Sequence, residues 1–363
     1  MGLSCGIVGL PNVGKSTIFN ALTNAGAAAA NYPFCTIDPN VGVVPLRDAR
    51  LDRIAKVIAS AQTLYATVEF VDIAGLVKGA SKGEGLGNKF LANIRETDAI
   101  AHVLRAFDDG DVVHVEGRVD PVRDAEIIST ELILADLETL EKRRLREQKA
   151  AKGGDKDAAV LVELLDRAVA VLDQGQPART VDVAPEQVVA WRSLHLITAK
   201  PMVYVANTDE TLEENDHVRA IRAMAAVEGA AVVVLCGKME AEIAELDDAE
   251  ERAAFLADLG LQESGLDRMA RAAFELLGLQ TYFTAGPKEA RAWTIRKGDK
   301  APAAAGVIHT DFERGFIKAE VYACADLFEL GTESAVAAAG RKRVEGKEYV
   351  VRDGDVCHFR FNV

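Results

Sequence analysis

The feature that most constrains this chain is a glycine-rich loop close to its N-terminus. Residues 9–16 have the spacing G-x-x-x-x-G-K-S, with a short apolar run before them and an amphipathic run, Ile18 to Leu22, after them. In such a loop the glycines let backbone N–H groups turn inward around a phosphate chain, and the helix that follows presents its positive end to the anion. The strand, loop and helix together predict a nucleotide-binding α/β domain.

The side chains of this loop have separate chemical tasks. Lys15 can reach the β- and γ-phosphates of a nucleoside triphosphate, and the Ser16 hydroxyl can be a ligand of Mg²⁺. Lys15 is therefore assigned a catalytic role as well as a binding role. The predicted nucleotide contacts in this part of the chain are Asn12, Val13, Gly14, Lys15, Ser16 and Thr17.

Composition narrows the class of protein. The 363 residues allow two or three domains, and an apolar fraction of 49% with a charged fraction of 27% is typical of soluble proteins. No run approaches the length of a membrane span and the N-terminus lacks the pattern of a signal peptide, so we expect a cytoplasmic protein without a membrane partner. The five cysteines are scattered, with no C-x-x-C pair, which fits a reducing compartment and no zinc site.

The charge balance limits the expected partners. A net charge of −14 argues against broad binding of nucleic acid, and we expect no sequence-specific DNA partner. Short basic clusters do occur at 142–146 and 341–343, but such clusters are more typical of solvated faces than of contacts.

Two further segments predict the metal site. Residues 31–39 contain two prolines and no periodicity, so they form a loop after the first helix, where Thr36 can add a second hydroxyl ligand to Mg²⁺. The stretch TVEFV at 67–71 predicts a strand that ends at Asp72, which begins a D-x-x-G motif. Asp72 is therefore the predicted acidic residue of the Mg²⁺ site, and the Gly75 N–H is expected near the γ-phosphate.

The pattern along the chain predicts three domains. Residues 1–125 alternate strands and helices as in a mostly parallel sheet, and the same pattern returns at 199–278. Between them, residues 126–198 have apolar stripes at helical spacing that are interrupted by a pair of glycines, which predicts an inserted helical hairpin. Its polar tip suits a large partner, although a hairpin that packs only on its own domain is the alternative. Residues 279–363 predict a small α+β domain.

The loop at 207–210 bears on the identity of the base. In GTPases the corresponding loop is N-K-x-D, whose short carboxylate accepts two hydrogen bonds from guanine. Here Thr208 replaces the lysine and the longer Glu210 replaces the aspartate, so discrimination in favour of guanine should be lost. The Asn207 amide can still pair with the N6/N7 edge of adenine. ATP is therefore the favoured nucleotide, with GTP as the alternative.

These motifs resemble those of the Obg-like ATPase family, a branch of the translation-factor class of P-loop proteins. The shared motifs are GLPNVGKS at 9–16, PFCTI at 33–37, DIAGLVKGA at 72–80 and the N-x-x-E loop at 207–210. Two C-terminal stretches, GVIHTDFERGF at 306–316 and DGDVCHFRF at 353–361, resemble the TGS domain of that family. The resemblance covers nearly the whole chain.

The resemblance implies both a fold and a function. It implies a P-loop NTPase domain with a mostly parallel sheet, an inserted α-helical hairpin and a C-terminal α+β TGS domain. It also implies an ATPase that binds the ribosome through its TGS and helical domains, and we expect the large subunit to be the site. The resemblance further implies that Phe107 and Thr208 help to enclose the adenine.

The sequence leaves a gap in the catalytic machinery. Many GTPases place a glutamine directly after D-x-x-G to orient the attacking water, whereas this chain has Leu76, which forms no hydrogen bond with water. We therefore expect slow hydrolysis and suggest His114 as a substitute, because imidazole can orient water near neutral pH. A surface histidine with a structural role is the alternative. A nucleotide-binding adaptor with little turnover and a GTPase remain the alternative functions.

Two smaller hypotheses concern the same site. Asn12 lies in a loop that resembles those of potassium-activated members of the wider class, so a K⁺ ion near the phosphates could supply positive charge. Cys35 adjoins Thr36, so its oxidation could alter the response to nucleotide, although a buried and inert cysteine is the alternative.

Overall fold

The computed structural model of this chain describes residues 4–27, 40–73, 86–109, 117–246 and 248–362. Its strands are β1 (Ser4–Val8), β2 (Val41–Leu46), β3 (Thr63–Leu64), β4 (Ala66–Asp72), β5 (Ala99–Arg105), β6 (Met202–Asn207), β7 (Ala231–Leu235), β8 (Leu279–Ala285), β9 (Ala290–Arg296), β10 (Phe316–Ala323), β11 (Arg343–Glu345) and β12 (Asp355–Phe361). Its helices are α1 (Lys15–Ala27), α2 (Ala49–Ile58), α3 (Leu86–Glu96), α4 (Pro121–Lys152), α5 (Lys156–Leu172), α6 (Val188–Arg192), α7 (Asp216–Glu228), α8 (Gly237–Glu245), α9 (Ala249–Asp258), α10 (Gly265–Leu276), α11 (Ala301–Ile308), α12 (Thr310–Arg314), α13 (Cys324–Leu330) and α14 (Glu333–Ala338). Within these ranges no helix combines the length and the apolar character needed to cross a bilayer.

A mostly parallel sheet carries the N-terminal loop. Its strand order is β2-β4-β1-β5-β6-β7, and the pairs β1–β4, β1–β5, β5–β6 and β6–β7 are parallel. Every residue of β5 and β6 is buried, as expected for central strands of a sheet covered on both faces. The predicted α/β fold is therefore confirmed, and the carboxyl ends of β1, β4, β5 and β6 lie at the same edge of the sheet.

The helical insertion consists mainly of α4 and α5. α4 begins at Pro121 after the capping residue Asp120, and its 32 residues span about 48 Å at 1.5 Å per residue. Gly154 has a φ of 93° in the turn, and Asp155 then caps α5. The helix begins five residues before the insertion that the sequence predicts at 126–198.

The hairpin has its own core and one buried anchor. Its core contains Leu140, Leu164 and Leu165. Asp136 is fully buried, and its carboxylate accepts hydrogen bonds from the backbone N–H groups of Ile197 (2.9 Å) and Thr198 (2.8 Å) and from the Thr198 hydroxyl (2.6 Å). Burial raises the pKa of the Asp136 carboxyl, and the hydrogen bonds from Thr198 and Ile197 oppose that rise. This carboxylate ties α4 to the chain that leads into β6.

The C-terminal strands belong to a second compact unit of the chain. Among the described residues, the first unit comprises 4–27, 40–43 and 69–273, and the second comprises 44–68 and 274–362. The sheet of the second unit has the order β11-β10-β12-β8-β9-β3. Its pairs β10–β11, β10–β12 and β8–β9 are antiparallel, while β12–β8 and β3–β9 are parallel.

The place of residues 44–68 differs from the sequence interpretation. We assigned all of 1–125 to the nucleotide-binding domain, but α2 buries Leu51 and Ile54 in one core with Phe283 and Leu327. β3 also pairs with β9 at the edge of the second sheet. The amphipathic pattern of α2 predicts a helix with a buried stripe, but such a stripe fits any apolar sheet face and does not identify which sheet it covers.

Candidate nucleotide-binding site

The backbone of the N-terminal loop is left-handed at two residues directly before α1. Asn12 and Gly14 have positive φ values of 64° and 91°, and the Gly14 carbonyl accepts the Ile18 N–H at 3.0 Å as α1 begins. A Cβ atom added at Gly14 would lie 2.1 Å from Asn207 Nδ2, so both the conformation and the close approach require glycine there. The loop therefore turns its backbone into the start of α1 at the carboxyl edge of the sheet.

Lys15 and Asp72 lie together, as the sequence predicts for a phosphate-binding lysine and a metal-binding acid. β1 and β4 are parallel neighbours with Ile7 opposite Asp72, and the Lys15 ammonium forms an ion pair with the Asp72 carboxylate. The two side chains are 10% and 24% exposed, so water screens this pair less than a surface pair. Ser16 follows Lys15 in the first turn of α1. These residues form the phosphate end of the candidate site.

Asn207 holds two loops of the site together. Its Nδ2 donates to the Val13 carbonyl at 2.9 Å, and its Oδ1 accepts the Gly237 N–H at 2.8 Å, in a side chain that is only 4% exposed. The sequence predicts a contact between this amide and the adenine edge, and the two structural hydrogen bonds come in addition to it. Since an amide has two N–H groups and two acceptor lone pairs, Asn207 keeps one donor and one acceptor position for a base.

The rest of the 207–210 loop is also fixed by hydrogen bonds. Thr208 is buried, its N–H donates to the Leu235 carbonyl at 2.8 Å, and its hydroxyl donates to the same oxygen at 3.3 Å. The Glu210 carboxylate is exposed and pairs with the Lys238 ammonium at 2.5 Å. The carboxylate at the base-reading position is thus matched by a positive charge from the start of α8.

Arg105 supports the loop that carries Phe107. The Arg105 side chain is 1% exposed, and its guanidinium donates to the carbonyls of Phe107 and Asp109, both at 3.1 Å. The same guanidinium lies 4.5 Å from the centre of the Phe107 ring. A buried arginine therefore fixes both the backbone and the ring of this loop.

A second group of hydrogen bonds attaches this loop to the base side of the site. The Ala106 N–H donates to the Asn207 carbonyl at 2.8 Å, and Asn215 Nδ2 donates to the Ala106 carbonyl at 2.8 Å. Asn215 also caps α7 by accepting the Val218 N–H at 2.9 Å. The sequence did not predict the roles of Arg105 and Asn215. The only signal was the position of the cationic Arg105 at the end of an apolar run.

His102 lies in the middle of β5, the strand that ends at Arg105. Its position within the apolar run 99–107 predicts a core histidine whose ring nitrogens are satisfied. The residue is fully buried, but neither ring nitrogen has a hydrogen-bond partner within the described residues. Its ring lies 5.6 Å from that of Tyr204. Burial lowers the pKa of His102 to about 3, and the nearby Arg179 acts in the same direction. The ring is therefore neutral at physiological pH.

Several predicted residues lie outside the described residues. They are Thr36, Gly75 and His114 among the predicted site residues, together with Cys35 and Leu76. The other four cysteines are free and buried. Of the predicted contacts, the loop residues from Asn12 to Thr17, Asp72, Phe107 and the 207–210 loop lie at the carboxyl edge of one sheet.

Comparison with known proteins gives consistent matches over the whole chain. A family described as 50S ribosome-binding GTPase matches residues 4–135, and the C-terminal family of YchF GTPases, described as a protein of unknown function, matches 279–362. The chain is 57% identical to the ribosome-binding ATPase YchF of Haemophilus influenzae over 364 residues, with 100% of both chains covered. It is 56% identical to the protein of that name from Bacillus subtilis over 367 residues, again with 100% of both covered.

A solved structure extends this likeness to the fold. The Schizosaccharomyces pombe YchF GTPase matches with a TM-score of 0.89 and 39% sequence identity, covering 99% of this chain and 98% of that one. The likeness therefore includes the nucleotide-binding sheet, the hairpin and the C-terminal strands.

Proposed function

Because the chain belongs to the YchF family, we propose that it is a ribosome-associated ATPase that hydrolyses ATP slowly to ADP and phosphate. ATP and ADP states would present different surfaces, so that the protein acts as a nucleotide-dependent switch in translation or in a stress response. The observation that carries the proposal is the meeting of Lys15 and Asp72 beside a loop that Asn207 holds in place.

The phosphate end has the donors that Mg²⁺ requires. Mg²⁺ prefers hard oxygen ligands and usually keeps several waters while it binds substrate phosphates. The Ser16 hydroxyl and the Asp72 carboxylate are such donors, and Thr36 is the proposed third protein ligand. Bound Mg²⁺ would neutralise charge on the β- and γ-phosphates.

The ion pair between Lys15 and Asp72 gives the site a defined response to nucleotide. A γ-phosphate offers the Lys15 ammonium a stronger anionic partner than one carboxylate, so Lys15 is expected to turn from Asp72 to the phosphates. Asp72 is then free to face the metal and its waters. The Gly75 N–H is the proposed donor to the γ-phosphate, which would couple the state of the nucleotide to the segment after β4.

The base end favours adenine over guanine. Guanine recognition in GTPases needs a carboxylate that accepts hydrogen bonds from N1 and N2, but the Glu210 carboxylate already pairs with Lys238. Asn207 retains one donor and one acceptor position, which suits the N6/N7 edge of adenine. Phe107 and Thr208 are the proposed walls around the base. The GTPase names of the S. pombe relative and of the N-terminal family make GTP the second candidate.

The water-positioning group is proposed from the sequence. Leu76 forms no hydrogen bond with water, so we expect slow intrinsic turnover and assign the task to His114. Multiple-turnover hydrolysis by His114→Ala tests this assignment: an unchanged rate with unchanged ATP affinity would remove it. A K⁺ ion near Asn12 is a further proposal, and equal rates in K⁺ and Na⁺ would contradict it.

The experiment that tests the function compares ATP and GTP in parallel, with and without ribosomes. We expect tighter binding of ATP than of GTP, slow Mg²⁺-dependent hydrolysis, and co-sedimentation with ribosomes, mainly with the large subunit. Lys15→Ala serves as the negative control, since it lacks the ammonium group that is proposed to bind the β- and γ-phosphates. Tighter binding of GTP would identify a GTPase, and ribosome binding without turnover would identify an adaptor. A ribosomal partner implies residence in the cytoplasm.

A further inference from the structure

A groove follows the first half of α4 at the base of the hairpin. α4, the end of α5 and the end of α7 enclose about 490 Å³ of space. The residues of α4 that line this space extend from Val122 to Leu137, which corresponds to about four turns or about 22 Å along the helix. The space is thus elongated along α4. We call it the hairpin-base groove.

The floor of the hairpin-base groove is apolar. Ile133 and Leu172 line it and are buried, and Met224 contributes from α7. Leu134, also in the lining, is 43% exposed, which is unusual for a leucine that faces a concave surface. An occupant with apolar side chains would remove this leucine surface from water.

The edges of the groove are acidic. Its lining contains Glu126, Asp173 and Glu228 and has no lysine or arginine. Glu228 is compensated, since it pairs with Arg179 and accepts the Tyr204 hydroxyl at 3.0 Å. Glu126 and Asp173 are exposed and form no ion pair with another described residue. Two uncompensated carboxylates therefore flank an apolar floor.

We propose that the hairpin-base groove binds a basic amphipathic helix of a protein partner. A helix presents apolar residues at i, i+3 and i+4 to such a floor, and arginine or lysine on its flanks can pair with Glu126 and Asp173. The acidic edges repel a nucleic-acid backbone, and a purely apolar occupant would leave both carboxylates unpaired. The proposal depends on this surface alone and does not rest on ATP hydrolysis or ribosome binding.

The test uses a labelled 16-residue helical peptide of leucine, alanine and arginine, with leucine on one face and arginine on the flanks. Fluorescence anisotropy should show saturable binding to the full-length wild-type protein. The double variant Glu126→Lys with Asp173→Lys should bind the peptide about tenfold or more weakly, because two attractive charges become repulsive. A peptide with glutamate in place of arginine should not bind.

A charge reversal outside the groove separates local pairing from the general attraction of an acidic protein for a basic peptide. Glu163 is exposed on α5 outside the groove lining, so Glu163→Lys should change the dissociation constant by less than about twofold. Unchanged ATP hydrolysis would show that the double variant is folded. Equal binding by wild type and double variant would overturn the proposal. Free arginine amide that displaces the labelled peptide as effectively as the unlabelled peptide does would also overturn the proposal, because it would indicate a site for small cations.

Discussion

The side-chain amide of Asn207 donates a hydrogen bond to the backbone carbonyl of Val13, at 2.9 Å. The same amide accepts the N–H of Gly237, so one residue at the end of β6 joins the phosphate-binding loop to the start of α8. Both bonds lie in a buried part of the first unit, where an unpaired polar group is costly. The proposed phosphate end and the proposed base end of the site therefore share one structural residue.

Asn207→Asp should weaken ATP binding strongly. The substitution replaces the Nδ2 donor by a carboxylate oxygen, which would face the Val13 carbonyl without a proton between them. A lost buried hydrogen bond with repulsion in its place corresponds to about 2 kcal/mol, or about thirtyfold in the dissociation constant. Titration with a fluorescent ATP analogue measures the effect. The same chemical change at the exposed Asn93 on α3 should leave affinity unchanged; equal effects at both sites would contradict the bridging role.

Arg105→Lys should raise the KM for ATP about tenfold while kcat changes less than about twofold. Lysine keeps the charge but cannot donate to the carbonyls of Phe107 and Asp109 while it covers the Phe107 ring. The loop beside the proposed adenine site would lose its fixed position, whereas the phosphate end would not. Steady-state ATPase kinetics separate the two effects. An equal fall in kcat and kcat/KM would show that Arg105 acts at the phosphate end instead.

The parts of the site that the sequence predicts are those whose chemistry lies in consecutive residues. The Lys15 loop and the strand that ends at Asp72 each contain their own pattern, and the parallel sheet brings them together as expected. Arg105 was missed because its partners are backbone carbonyls, which no side-chain pattern reveals. The destination of α2 was missed for a related reason, since its buried stripe, with Leu51 and Ile54, is compatible with either sheet.

His102→Phe should make the free energy of unfolding less dependent on pH. The pKa of His102 is lowered from 6.5 to about 3 by burial, so below pH 6.5 the unfolded chain binds a proton that the folded chain does not. By linkage, stability falls as the pH decreases, and between pH 7.5 and 5 this one residue accounts for a loss of about 2 kcal/mol. Phenylalanine should remove that loss.

The measurement for His102 is urea unfolding at several pH values, followed by Trp191 fluorescence in a Trp293→Phe background. Trp191 belongs to the first unit, which contains His102, whereas Trp293 belongs to the second. Relative to His102→Phe, the parent should lose about 2 kcal/mol of its free energy of unfolding as the pH is lowered from 7.5 to 5. Parallel curves would mean that the ring becomes protonated in the folded protein.

Asp136→Ala should destabilise the first unit by about 3 kcal/mol. The truncation leaves the N–H groups of Ile197 and Thr198 without their acceptor in a site that is closed to water. Asp136→Asn should cost less, because one amide oxygen can still accept one of these bonds. Urea unfolding monitored by Trp191 gives the values, and Glu163→Ala, an exposed truncation on α5, should stay within about 0.5 kcal/mol of the parent. Similar losses for Asp136→Ala and Glu163→Ala would show that the carboxylate is not the anchor of the hairpin.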